Sequence, residues 1–152
     1  MLGNAPELLE ELIGEIPREI LKLRRIPNKW SIHEHACHLS VSQHLIIKRF
    51  ETFKNTQNPV FEPYLPGTTV SDDDLIDMDL AICLADFRIN RKRLIGLLKQ
   101  FENEDWVNEA RHAEYFRFNP LIFLRHIMMH DHLHMYRIEE LWLTVDDFLK
   151  KA

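Results

Sequence analysis

Pro59, Pro63, Pro66 and Gly67 crowd the stretch 56–70, and no other feature of the sequence limits the fold as strongly. Proline fixes its own φ and has no N–H to give, so this stretch can be neither the middle of a helix nor a central strand. It reads as an extended crossover rather than a tight turn. On either side of it apolar residues recur every three or four positions, the period of an α-helix. The chain must therefore join its helices through one long connection, as some four-helix bundles do. With only 4 glycines in 152 residues, turn-rich β architectures and phosphate-cradling loops are disfavoured as well.

Capping signals place the helices. Asn4 stands as an N-cap with Pro6 in the first turn. Leu8, Leu9, Leu12, Ile13 and Ile16 follow at helical spacing until Pro17 breaks the run. Ile20, Leu21 and Leu23 continue as a second short helical piece towards Arg25. Ser31 and Glu34 form a capping-box pattern. It opens a long helix whose stripe is Ile32, Ala36, Leu39, Gln43, Ile46 and Phe50 and which ends near Asn55. A short helical turn is expected at Ser71. A third helix runs from Asp79 to Phe101, with Arg88, Arg91, Lys92 and Arg93 largely solvated. Residues 103–117 are polar and interrupted, with Trp106 as an anchor under the loop. Asn119 and Pro120 open the last long helix, which continues to Leu143 before a short terminal helix or tail. No segment reads convincingly as a strand. The expected architecture is all-α, a single domain over residues 1–152, a four-helix bundle with a long crossover between helices two and three.

Charge and cysteine usage narrow the partners. The 19 Lys+Arg and 24 Asp+Glu leave a formal charge of −5 with no basic block, a poor match to phosphate backbones, so no nucleic-acid partner is expected. No apolar run reaches the roughly 18 residues that span a bilayer, and the acidic N-terminal stretch lacks the basic region of a signal peptide. Cys37 and Cys83 sit in helical patterns without metal-motif spacing. A reduced, cytoplasmic protein is the economical expectation, with Cys37 a packing residue rather than a nucleophile.

The 9 histidines concentrate at 33–44 and 126–134, and function is to be sought there. His126, His130 and His134 are spaced four apart. Four helical steps overshoot a full turn by about 40°, so the three rings lie along one face, about 6 Å apart per step. Phe123, Ile127, Ile138 and Leu141 share that face, so the ladder is on the apolar side, whereas His132 points to solvent. Adjacent imidazoles in an apolar setting need a partner for each ring nitrogen. A shared ion supplies one, since neutral imidazole ligates zinc at about 2.0–2.1 Å and suits nickel or iron, and a pair at i, i+4 can chelate it. The competing reading is core or rim histidines satisfied by water and carboxylates. A pair leaves a metal site incomplete, so a third ligand is expected from the facing helix. There His35 and His38 both flank the apolar stripe; periodicity favours His35 slightly, but the physics does not separate them, and His33 and His44 point the other way.

A helix start at Trp30-Ser31, a His38-Leu39 step two turns on, and a His130…His134 pair about ninety residues later together resemble the DinB-like superfamily of metal-binding four-helix bundles. The resemblance extends over nearly the whole chain, including the proline-rich crossover. It implies that His38, as the histidine preceding Leu39, is the first ligand of a divalent metal, with His130 and His134 as the others and zinc or nickel as the ion. It leaves His126 one turn above the site, and His35 beside it, as lining or supporting residues. Where the family often carries Gln, three residues after its last histidine, this chain has Arg137, which brings a positive charge towards an anionic ligand. Asp131 is a candidate for orienting a ligand imidazole. Trp30 and Tyr136 read as packing residues, and Trp142 as core or dimer face.

Three histidines with an open position is the arrangement of a catalytic site, because structural zinc is normally closed by four protein ligands. Family members of known activity look like thiol-dependent transferases or isomerases that use low-molecular-weight thiols such as bacillithiol, mycothiol or glutathione. The resemblance thus implies a metal-dependent enzyme, a transferase or hydrolase, that brings a thiol cofactor or water to a small-molecule electrophile. The alternative is a non-catalytic bundle that binds metal or ligand, and a homodimer is compatible with the long apolar helices.

Overall fold

The computed structural model describes residues 2–63 and 74–149; residues 64–70 of the crossover and the turn expected at Ser71 lie outside the described residues. Four long helices carry the structure: α1 (Ala5–Glu15), α2 (Ile32–Asn55), α3 (Leu80–Leu98) and α5 (Pro120–Leu143). A short α4 (Asn103–Trp106) follows α3, and α6 (Asp146–Leu149) follows α5.

The helix starts are chemically specified. At α2, Ser31 Oγ accepts the Glu34 N–H at 3.3 Å and Glu34 Oε2 accepts the Ser31 N–H at 2.8 Å, a closed capping box. Asp79 Oδ1 accepts from Ala81 and Ile82 at the head of α3. Asn119 Oδ1 accepts the Ile122 N–H at 3.0 Å, with Pro120 at the first helical position of α5. Asn4, by contrast, does not cap α1: it is already in the right-handed helical region, and its side chain makes no capping bond. Ile16 is extended and ends α1, because the residue before a proline is driven out of the helical region.

Several expectations are corrected here. The stretch after Pro17 is a single 3-10 turn, Arg18–Ile20, and not a helix reaching Arg25. The Arg25 guanidinium is committed elsewhere, donating to the carbonyls of Leu141, in the last turn of α5, and of Thr144 just past its end. Helix α3 stops at Leu98 and not at Phe101. Tyr136 is 60% exposed rather than packed. The polar stretch before α5 holds two strands, β2 (Ala110–His112) and β3 (Tyr115–Phe118), and with β1 (Val60–Phe61) of the crossover they form a small sheet in the order β1-β2-β3, parallel then antiparallel. Tyr115, Phe116 and Phe118 have the aromatic character that favours strands, but a run this short, with charges interleaved, carries little periodic signal.

Two large apolar clusters make up most of the bundle core, beside a small one around Cys37, Leu75 and Cys83. One gathers Leu9, Ile32, Ala36, Leu39, Phe87 and Ile138 from the four long helices. The other gathers Ile46, Phe50, Phe53, Leu94, Phe118 and Ile127, with the sheet against it. Along α2 and α5 the boundary between the clusters falls at residues 40–45 and 128–134, and that waist is polar. Arg91 of α3, expected in solvent, is buried in it. Its Nη1 lies 2.5 Å from Asp131 Oδ2 and its Nη2 3.1 Å from Asp131 Oδ1, a bidentate pair. Its Nε donates to Gln43 Oε1 at 3.2 Å. Gln43 in turn donates to the Leu39 carbonyl at 3.0 Å.

Candidate metal centre

The imidazoles gather at the edge of the waist, those of α5 within it and those of α2 just before it. Helix α2 presents His35 and His38, half-buried, and α5 presents His130 and His134. His38 Nε2 is 3.1 Å from His130 Nε2, and His35 Nδ1 is 2.8 Å from His134 Nδ1. The His130 and His134 rings lie edge-on at 4.5 Å between centroids, and those of His38 and His134 are 4.7 Å apart. Trp30, at the start of α2, covers the group: its ring is 4.7 Å from His38, 5.4 Å from His35 and stacked at 5.8 Å on His134. It packs, as expected, and what it packs on is the imidazole cluster. Beside Trp30 and His35 opens a recess of about 300 Å³ that Ile26, Lys29, Arg137 and Glu140 also line.

Electrostatics keep these rings neutral. Burial first, and then the neighbouring imidazoles, push His38 down to about 3 and His134 down to about 2. Burial and then Arg137 push His35 down to about 4. His130 is also lowered, chiefly by burial, with Arg91 reinforcing and Asp131 opposing. Protonating one ring places a cation in poorly solvated space beside other rings, so each stays a lone-pair donor at neutral pH.

The donor set fits a divalent ion. His38, His130 and His134 each offer a ligand atom, all within 4.8 Å of one another. A tetrahedral zinc site with bonds of about 2.0–2.1 Å separates its ligand atoms by about 3.3 Å, close to the His38–His130 spacing already present. His130 Nδ1 is buried and has no hydrogen-bond partner among the described residues. The nearby acids are engaged: Asp131 with Arg91, Glu34 with Arg24 and Glu140 with Arg137.

The other residues singled out in the sequence separate cleanly. Asp131, weighed as an orienting group, does not reach an imidazole; its side chain points a third of a turn away and is consumed by Arg91. His126 turns to Tyr115 and Phe118, at 5.4 and 6.3 Å between ring centroids. His132 is exposed and meets its own helix at the Met128 carbonyl. His33 is buried on another side of α2, near the backbone of Leu75 and Met78. Cys37 is buried beside Leu75 and Cys83, as a packing cysteine should be. Arg137 lines the recess while paired with Glu140 at 2.5 Å.

A helical bundle with a buried, acid-free cluster of neutral imidazoles contributed by two of its helices defines a class of candidate metal proteins. The chain belongs to the DinB superfamily, whose family model matches residues 1–138. Among solved structures it is similar to YfiT from Bacillus subtilis, described as a probable metal-dependent hydrolase with an unusual four-helix bundle topology. That match has a TM-score of 0.82 at 20% identity, covering 92% of this chain and 81% of the other. Comparison with curated proteins gives no match. No helix among the described residues is long and apolar enough to cross a membrane.

Proposed function

We propose that this chain is a metal-dependent enzyme in which His38, His130 and His134 hold a divalent ion, zinc or nickel, and that it acts on a small electrophilic molecule. The observation that carries the reading is the convergence of three neutral imidazoles, from two helices, at a spacing an ion can bridge. A divalent ion with an open position lowers the pKa of a bound water or thiol and polarises an electrophile. Membership of the superfamily and the likeness to YfiT, itself described as a probable hydrolase, support hydrolysis. A low-molecular-weight thiol as the attacking group is the transferase branch of the same proposal.

The chain's own residues prepare the site. Trp30 excludes water from one side of the rings. Burial keeps the ring nitrogens unprotonated, so loading the ion needs no loss of charge from His38 or His134 at neutral pH. With Glu34, Asp131 and Glu140 each tied to an arginine, no carboxylate is left over as a competing ligand from these positions.

The test is metal content by elemental mass spectrometry on untagged protein, beside His38→Ala and His130→Ala. Near-stoichiometric metal in the wild type, lost in both variants, is expected. A wild type that takes up neither zinc nor nickel overturns the proposal. Hydrolysis of activated esters and amides, compared with consumption of a panel of thiols, then decides between the two branches.

A further inference from the structure

The pair of Nδ1 atoms at 2.8 Å between His35 and His134 constrains the cluster more than its length suggests. Two imidazole nitrogens this close form a hydrogen bond only if one carries the proton and the other the lone pair. If His35 were the donor, His134 would carry its proton on Nε2 and have no lone pair left for an ion. If His134 is the donor, its Nε2 is the free lone pair. On the ligand role proposed above for His134, only the second arrangement is competent. His35 then carries its own proton on Nε2.

We propose that His35 is a positioning residue: it accepts the His134 Nδ1–H, fixing the tautomer and the ring plane that aim His134 Nε2 at the ion. This inference rests on the proposed metal site and assigns the division of labour between two histidines three positions apart. His38 meets His130 through Nε2, whereas His35 meets His134 through Nδ1. Trp30 fixes His35 from a second direction, with the two rings near perpendicular at 72°. His35 lines the recess with Trp30, Arg137 and Glu140, so its ring meets both that recess and the cluster. Histidine ligands in general donate their second ring N–H to an outer partner, and loss of that partner weakens metal binding by roughly 10–100-fold.

Three variants test the assignment: His35→Leu removes the acceptor, His35→Gln restores one through its side-chain carbonyl, and His134→Ala removes the ligand. Zinc affinity is measured by competition with a chromophoric chelator, and the melting temperature of each metal-free protein is recorded alongside. The expected result is binding of one zinc by His35→Leu at roughly 10–100-fold lower affinity, with most of the loss recovered in His35→Gln. Long-range proton–nitrogen NMR of the zinc-loaded wild type should show His134 protonated at Nδ1. Unchanged affinity in His35→Leu overturns the inference. So does complete loss matching His134→Ala, because His35 would then be a ligand, or a zinc-loaded His134 protonated at Nε2. If wild-type protein binds no zinc or nickel, it is the metal reading itself that fails. A fall in metal-free stability in His35→Leu that leaves its zinc affinity at the wild-type value assigns His35 to packing alone and equally overturns it.

Discussion

Two polar groups lie at and beside the waist between the apolar clusters, and they are solved in opposite ways. On one face, Arg91 and Asp131 neutralise each other bidentately, and Gln43 takes the guanidinium Nε–H and passes a bond on to the Leu39 carbonyl. Arg91 also lies over the Phe87 ring at 4.8 Å and donates to the Leu2 carbonyl. Its donors meet acceptors, and it needs nothing from outside the chain. On the other face, four imidazoles gather with no acid bonded to them among the described residues. The first arrangement is what a fold does with a buried charge it uses for itself. The second brings one ligand atom from each of His38, His130 and His134 within 4.8 Å of one another, a set of donors that an ion could bridge. The difference is one of chemistry, a charge pair closed on itself against a set of neutral donors left open, and it does not depend on position in the bundle.

The largest test of this comparison strikes the ionic face. Arg91→Leu or Asp131→Leu alone strands a buried charge and should destabilise by about 3–5 kcal/mol, read from urea denaturation. The double variant, which removes both charges, should regain most of that loss. Its zinc stoichiometry should stay at the wild-type value. A single variant costing under about 1 kcal/mol would mean that water reaches the pair, and the contrast between the faces would collapse.

The imidazole face should respond in the reverse sense. His38→Ala removes one of several crowded neutral bases and should change the stability of the metal-free protein by less than about 1 kcal/mol. Added zinc at 100 times its dissociation constant should stabilise the wild type by about 2.7 kcal/mol, and His38→Ala by none of it. Thermal melts with and without zinc read both quantities. Loss of metal-free stability as large as on the ionic face would make the cluster structural.

Glu34 stands between these extremes, a buried carboxylate whose partner Arg24 is 41% exposed. Burial pushes its pKa upward, but the bonds from Arg24 and from Ser31 outweigh this and hold it below its ordinary value of 4.5. A lowered folded value means the stabilisation is fully present above the ordinary value and is lost as pH falls through the lowered one. Glu34→Gln keeps a group that can close the capping box and removes the charge. It should cost about 1 kcal/mol at pH 7, and the gap to wild type should close under acid, measured by urea titrations from pH 7 to 3. A gap that persists unchanged at pH 3 would assign the effect to shape and not to charge.

What could be read from the sequence followed from local chemistry. The bounds of α2 and α5 were legible because Ser31, Glu34, Asn119 and Pro120 specify helix starts within one turn. The bundle followed from apolar period and the proline-rich stretch, and the family from the spacing of the Trp-Ser, His-Leu and histidine-pair motifs. Arg91 was not legible: it sits among Arg88, Lys92 and Arg93, and only the spatial approach of Asp131 and Gln43 from other helices makes its burial tolerable. The β2–β3 hairpin was hidden for a related reason, since its short aromatic strands gain their stability by covering Phe53 and Phe123. His35 and His38 could not be told apart by helix angle because both do reach the cluster; what separates them is which nitrogen of which neighbour each one meets.

His126 gives the smallest effect and the finest discrimination. It has the same four-residue spacing from His130 as His130 has from His134, so periodicity alone makes the three rungs equivalent. The structure breaks the equivalence at the waist. By residue 126 the facing surface is the aromatic edge of the sheet, and the ring packs on Tyr115 and Phe118 rather than on another imidazole. Burial lowers its pKa first, with Arg125 adding to the effect, and no other histidine contributes. His126→Ala should therefore alter stability by no more than about 0.5–1 kcal/mol, through lost edge contacts. It should leave zinc stoichiometry and affinity within experimental error of wild type, whereas His130→Ala, one turn away, abolishes both. A tenfold loss of zinc affinity in His126→Ala would extend the functional face past the waist and make the ladder, not the junction of the two clusters, the unit that binds.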